Sequence, residues 1–424
     1  MKKSLNIKIN PKILIIYIIL YLLIIQSGSV QLSIINDNNQ SKLYALLLMS
    51  LLIPFALKEV IAFKKEYINI IIVQSLFLLI NLIKYPSSIT SLLMKFLWFL
   101  GFFGFTVYCK KRGIAIIKCF SLMIFLLSCI SLLLWFFVCF VDNTIIQFTS
   151  YDIAETVYYN WHNLFSYTPF YYTNVMGLNI YRLHGLFWEP GVYQIYLNLA
   201  IYHYLFEEKL HSNSFKLVIL YLNLLFTMST TGLCIGVFLL TLYLIELKSF
   251  KRIKKIAIII GGFFVLMIFT YLLGKKMAAS IQYGWHGSMA ARLDDQIVAT
   301  KLFFKNFLFG AGYDNGQVFL EAQGWGRGCT SGLMSWAYMM GIFGMISVVY
   351  PFIKNIKSSD NKDLKRKRVI LFMIFLICNL SEPLYWAPLN WFWVASEYVK
   401  LYYERRGLNE PKRKKNTLYS SEIF

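Results

Sequence analysis

Charge is what this chain has least of. Only 15% of its 424 residues are charged, against 58% hydrophobic, whereas a soluble globular domain runs at about 25% charged and about 45–50% apolar. The runs "ILIIYIILYLLII" (13–25) and "SLMIFLLSCISLLLWFFVCFV" (121–141) contain no charge at all. About 20 helical residues cross a bilayer core, so the composition excludes a soluble domain and predicts an all-α, polytopic membrane protein. No small-residue cleavage site follows the first run and more runs come, so it reads as a span, not a cleaved signal peptide. Cysteine is also scarce. Cys109, Cys119, Cys129, Cys139, Cys234 and Cys378 lie in or beside apolar runs, and Cys329 alone falls in a polar segment. There is no CxxC and no His-rich cluster, so neither a disulfide framework nor a metal site is expected. Ionisable residues are nearly missing from the run centres. Lys95 sits six residues into its run and is expected to snorkel outward, and Glu246 stands at a run's end. That scarcity weighs against an ion-coupled transporter.

What charge there is sums to +21. Twelve spans are expected, at roughly 13–25, 43–57, 67–83, 89–108, 119–141, 187–206, 215–230, 232–247, 256–273, 332–353, 369–381 and 385–401. With the N-terminus in the cytoplasm, 32 of the 42 Lys and Arg fall on the cytoplasmic side and 9 outside. This is the positive-inside bias. The basic excess therefore reads as a topology signal, with anionic inner-leaflet lipid as its expected contact and no nucleic-acid partner. The chain reads as a single integral membrane domain over 1–424. It has an external loop at 142–186, a large external loop at 274–331 and a basic cytoplasmic tail at 402–424.

The two loops are too long to be mere connections and too aromatic to be disordered. Within the second, "AARLDDQIVATKLFFKN" places Ala291, Ile297, Val298, Leu302 and Phe303 near helical spacing, which predicts a short amphipathic helix. "FGAGYDNG" then breaks it with three glycines. The spans at 215–247 share only 33 residues, so the turn at "STTG" must be tight or lie below the surface, where irregular backbone has to be lined by protein or a cavity.

Three of the ten arginines are external: Arg182, Arg292 and Arg327. Guanidinium groups form bidentate pairs with phosphate, and three converging on one cavity would suit a diphosphate. The alternative is structural pairing with Asp294, Asp295 and Glu321. In "RLHGLFWEPG" (182–191), Glu189 precedes Pro190 at the start of a span, a position that suits either a helix-capping carboxylate or a general base beside apolar Phe187 and Trp188. His184 is a second titrating group there. The loop aromatics fit interfacial belts or sugar stacking.

"RLHGLFWEPGVYQIYLNLAI" (182–201) resembles the Arg-x-x-Gly-x-Phe-x-Glu-Pro segment of Wzy-type O-antigen and capsule polymerases. "STTG", "ARLDDQIVATKLFFKNFLFGAGYDN" (291–315) and "SGLMSWAYMMGIFGMIS" (331–347) follow in that family's order, so the resemblance covers roughly 180–350. It implies a GT-C-like membrane glycosyltransferase of the bacterial inner membrane. Such an enzyme moves a growing glycan from undecaprenyl diphosphate onto the next lipid-linked repeat unit, without metal or nucleotide cofactor. Its partners would be the undecaprenyl diphosphate-linked oligosaccharide and a chain-length regulator. Glu189, Arg182 and Arg292 are then the expected catalytic residues, with Arg327, His184, Lys301, Trp188 and Tyr313 binding substrate. O-antigen ligases are similar in architecture but carry a His-Asn pair where this chain reads "GCTSGLMSW" (328–336). A lipid-linked oligosaccharide flippase, the other alternative, would be expected to line a central cavity with charge.

Overall fold

The computed structural model describes residues 11–29, 38–62, 79–80, 89–140, 149–153, 156–160, 167–169, 172–175, 178–208, 213–246, 261, 267, 271, 288–313, 315–324 and 328–405. The expected spans at 67–83 and 256–273 fall outside these residues but for a few positions, as do Arg327 and the tail beyond Arg405.

The chain is mostly helical. In order, α1 is Pro11–Gln26, α2 Asn38–Ala62, α3 Ile89–Lys111, α4 Ile116–Phe140, α5 Pro190–Tyr202, α6 Ser214–Phe226, α7 Thr230–Glu246, α8 Ser288–Lys305, α9 Gly316–Gln323, α10 Gly332–Lys357, α11 Lys362–Ser381 and α12 Pro388–Arg405. Among the described residues, three segments are long and apolar enough to cross a membrane: Leu93–Lys111, Ile116–Phe137 and Gly332–Lys357. Large apolar side chains stand exposed on these helices, among them Leu133, Phe136 and Phe140 on α4 and Phe343 and Ile346 on α10. Hydrocarbon tolerates such a surface, whereas a water-soluble monomer rarely carries it.

The segment 149–181 adds what hydropathy did not show. Strands β1 (Thr149–Ile153), β2 (Thr156–Asn160) and β3 (Tyr167–Pro169) form an antiparallel meander, and β4 (Tyr172–Val175) pairs with β5 (Leu178–Tyr181) as a hairpin.

Helix α5 is the central element. Tyr193, Gln194, Tyr196, Asn198 and Ala200 are all within 1% of full burial, and a helix apolar nearly all round belongs inside a bundle. It continues as a π-helical turn over His203–Glu207. Helices α6 and α7 are joined by Thr227–Ser229, a tight turn as expected, in which Met228 takes a left-handed φ of 49°. Thr227 and Ser229 are both buried, so the turn lies inside the protein. Its backbone is satisfied there: Leu183 N–H donates to Phe226 O and Thr227 Oγ1 to Leu224 O.

Helix α10 is broken at Gly341 (φ 64°, ψ −169°), and the segment after α8 is laid into the break. Ala311 N–H donates to Tyr338 O, Gly312 N–H to Met339 O, and Ile342 N–H to Phe307 O at 2.8 Å. The glycine-rich "FGAG" is therefore a backbone plug that satisfies the groups a broken helix leaves open.

Helix α8 forms where the apolar spacing places it, but its inward face differs. Asp295 and Ala299 are fully buried and Leu302 nearly so, while Ile297 is 53% exposed. The buried face is set by Asp295, which accepts from Thr330 N–H (3.0 Å), Thr330 Oγ1 (2.7 Å) and Gln323 Nε2. Three donors offset the cost of burying a carboxylate, and they fasten α8 to α9 and to the entrance of α10.

Candidate functional site

Glu189 is the residue before α5, with extended backbone (φ −152°, ψ 156°), and its side chain makes no capping bond to the helix. The carboxyl turns instead to Glu382, which lies between α11 and α12 and is fully buried. The approach is close because Gly191 has no side chain: a Cβ there would stand 2.1 Å from Glu382 Oε1. On its other side Glu382 Oε1 meets Arg292 Nη2 at 3.5 Å, and Arg292 Nη1 donates to Ser381 O at 2.8 Å. The guanidinium side chain is 35% exposed, so it joins the buried Glu382 carboxyl to the surface. Burial holds the Glu382 carboxyl well above the usual carboxylate range, the Glu189 charge adds to this, and Arg292 opposes it.

Arg292 thus finds a partner other than Asp294, Asp295 or Glu321. Sequence reading passed over Glu382. The available signal was its Glu-Pro dipeptide, Glu382-Pro383, which repeats the Glu189-Pro190 pattern in a short segment between spans.

Arg182 is held elsewhere. Its Nε donates to Thr227 O at 3.1 Å and its Nη2 to Met228 O at 3.4 Å. It therefore satisfies carbonyls at the C-terminal end of α6, where the buried turn needs a donor. His184 is fully buried, its Nδ1–H donating to Phe187 O. Burial, with a smaller contribution from Arg182, lowers the imidazole pKa to about 3 despite that hydrogen bond, so the ring is neutral over the physiological range. Trp188 stacks on Trp386 with ring centroids 5.9 Å apart and planes 20° from parallel. Tyr313, the residue after the plug, is fully buried, and Lys301 is exposed on α8. Arg327 lies outside the described residues.

Lys95 departs from the snorkelling expected of it. It is 8% exposed, donates from Nζ to Trp386 O at 2.7 Å and lies 4.1 Å from the Trp98 ring centroid. A buried ammonium is retained where a carbonyl and an aromatic face replace its water, and here it fixes the turn that follows Glu382. The turn that follows α1 closes the other side, with Trp188 N–H donating to Gly28 O and Leu389 N–H to Ser27 Oγ.

Of the expected residues, Glu189, Arg292 and Trp188 therefore share one end of the bundle with Glu382 and Lys95, with Arg182 and His184 in the turn that leads to it. No protein-family model matches the chain, and it has no significant match among curated proteins.

Proposed function

We propose that the chain is a membrane glycosyltransferase that polymerises undecaprenyl diphosphate-linked oligosaccharide units into O-antigen or capsular polysaccharide. The observation that carries this reading is the chain of contacts Arg292–Glu382–Glu189, a partly exposed guanidinium backed by a buried carboxyl and a partly buried one. Glycosyl transfer needs both: a base for the acceptor hydroxyl and a fixed cation for the departing diphosphate. Glu189 takes the hydroxyl proton as the acceptor oxygen attacks the anomeric carbon. The bond from that carbon to the diphosphate oxygen breaks, and Arg292 receives the developing negative charge. Arg182, in this reading, holds the buried turn that carries "RLHGLFWEPG" and adds positive potential near the same anion. Trp188 offers an aromatic edge for a sugar, and exposed Lys301 extends the basic surface. The leaving group supplies the driving force, so no nucleotide is consumed.

The lipid-linked products in a strain lacking this gene test the reading. One repeat unit per lipid is expected. Long unligated glycan points to a ligase and inward-facing intermediates to a flippase, and either result overturns it. Complementation with Arg292→Lys, which keeps the charge but loses the fork, should lower polymer formation by roughly 10- to 100-fold at equal expression.

The reading also requires the carboxyl end of the bundle to face outward, with twelve spans and both termini in the cytoplasm. Single cysteines placed at Ser288 and Ser358 in a Cys-free background should separate: a membrane-impermeant thiol reagent added to intact cells labels position 288 and spares 358. The opposite pattern inverts the topology and puts the lipid-linked substrate on the wrong side.

A further inference from the structure

We propose that Glu189 and Glu382 work as one acid–base unit that holds a single proton between them in the resting protein, and that arrival of a second proton releases Arg292 toward the departing diphosphate. This rests on the glycosyl-transfer reading and assigns Glu382 a part in it as a positioning residue.

The geometry carries the argument. Glu382 Oε1 is occupied by Arg292, while Oε2 is buried and meets no donor among the described residues. A carboxylate oxygen only accepts, so two ionised carboxyls facing each other there would leave that oxygen unsatisfied and add like-charge repulsion in a low-dielectric setting. One proton placed between them removes both problems at once. Gly191 keeps the two groups close, since any side chain there would drive into Glu382. Among the described residues, the groups facing the pair are Arg292 from α8 and, on α11, the Cys378 thiol. Backbone N–H groups of Gly332 and Leu384 bond the Glu382 carbonyl and leave its carboxyl alone. The raised titration of Glu382 agrees with a retained proton.

The resting unit then carries one negative charge, balanced by Arg292. As the acceptor hydroxyl attacks, its proton passes to the unit, which becomes neutral, and the electron pair of the breaking bond leaves with the diphosphate. Arg292 loses its anionic partner at the moment a new anion forms beside it. The guanidinium, already partly exposed, is thereby handed from carboxyl to diphosphate. Proton loss to solvent restores the resting charge.

Infrared spectroscopy of the purified full-length protein reads the shared proton directly. At neutral pH the wild type should show a protonated-carboxyl band that shifts in heavy water and disappears in Glu382→Gln. Absence of the band in the wild type, or its persistence in both Glu382→Gln and Glu189→Gln, overturns the proposal and needs no assumption about the reaction. With lipid-linked repeat units as substrate, the wild-type rate should fall at alkaline pH as the pair loses its last proton and clamps Arg292. Glu382→Gln should lose that alkaline limb, and a superimposable profile counts against the proposal. Should the glutamine variant fail to accumulate, the wild-type band and its pH titration still decide. A protein with the band but without polymer formation keeps the pair and sinks the glycosyl-transfer reading, whereas polymer formation without the band sinks the pair alone.

Discussion

Replacing Glu189 with glutamine is expected to lower polymer formation by about 10²- to 10⁴-fold, the usual span for removing a general base, and to leave the protein folded. The second half follows from the structure. A capping carboxylate would hold helix N–H groups, and its loss would cost about 0.5–2 kcal/mol, but the Glu189 side chain makes no such bond. A glutamine there can donate its amide to Glu382 Oε2, so thermal stability should hold or rise. Glu189→Asp withdraws the carboxyl by one methylene from Glu382 and should retain part of the rate. The measurement is polymer formed by purified variants on lipid-linked repeat units, followed against pH, with thermal unfolding in detergent alongside. A near wild-type rate for Glu189→Gln would make the residue structural. His184 would be a poor replacement, since its burial leaves it uncharged and shut from solvent. Asp295 is spent on three donors. The base would then have to be Asp294 or Glu321.

How much of this was legible in the sequence depends on the range of the interaction. Local signals held. The run containing Ser288–Lys305 becomes a helix, the "STTG" turn is tight, and "FGAG" breaks the chain where its glycines stand. The inward face of α8 was misplaced toward Ile297 because apolar periodicity assigns no value to a buried carboxylate, and Asp295 is buried only because Gln323 and Thr330 reach it from other elements. Glu382 was hidden for the same reason. It stands 193 positions from Glu189, and nothing in a single sequence says that α11 ends beside the start of α5. Lys95 looked like an interfacial anchor because its partners, Trp98 and the Trp386 carbonyl, include one that only the packing of α12 against α3 supplies. The strands of 149–181 escaped a reading tuned to helical spans, although their Tyr, Thr and Val content favours extended structure.

The second large effect concerns the plug. Gly341→Ala should abolish accumulation of folded protein or sharply lower its thermal stability. Gly341 occupies a backbone region (φ 64°, ψ −169°) that is essentially reserved for glycine, and a side chain there costs about 1–3 kcal/mol in backbone strain alone. The added Cβ would also stand 2.5 Å from Gly310 N and 2.6 Å from the Leu308 carbonyl. Those atoms are backbone and cannot rotate away, so the inserted segment must withdraw. Its hydrogen bonds to Tyr338, Met339 and Ile342 go with it, and each leaves a buried polar group that costs about 1–3 kcal/mol when unpaired. The damage should travel to the site, because the same segment continues from α8, which carries Arg292. Gly310→Ala should behave alike, since its Cβ would meet the Met339 carbonyl carbon at 2.2 Å. Gly316→Ala is the control: it opens α9 and a Cβ there meets nothing within 4 Å. Yield from membranes and the midpoint of thermal aggregation in detergent should separate the first two from the third. If Gly341→Ala accumulates and melts like the wild type, the plug does not hold α10 in its broken form, and the route from that break to Arg292 has to be abandoned.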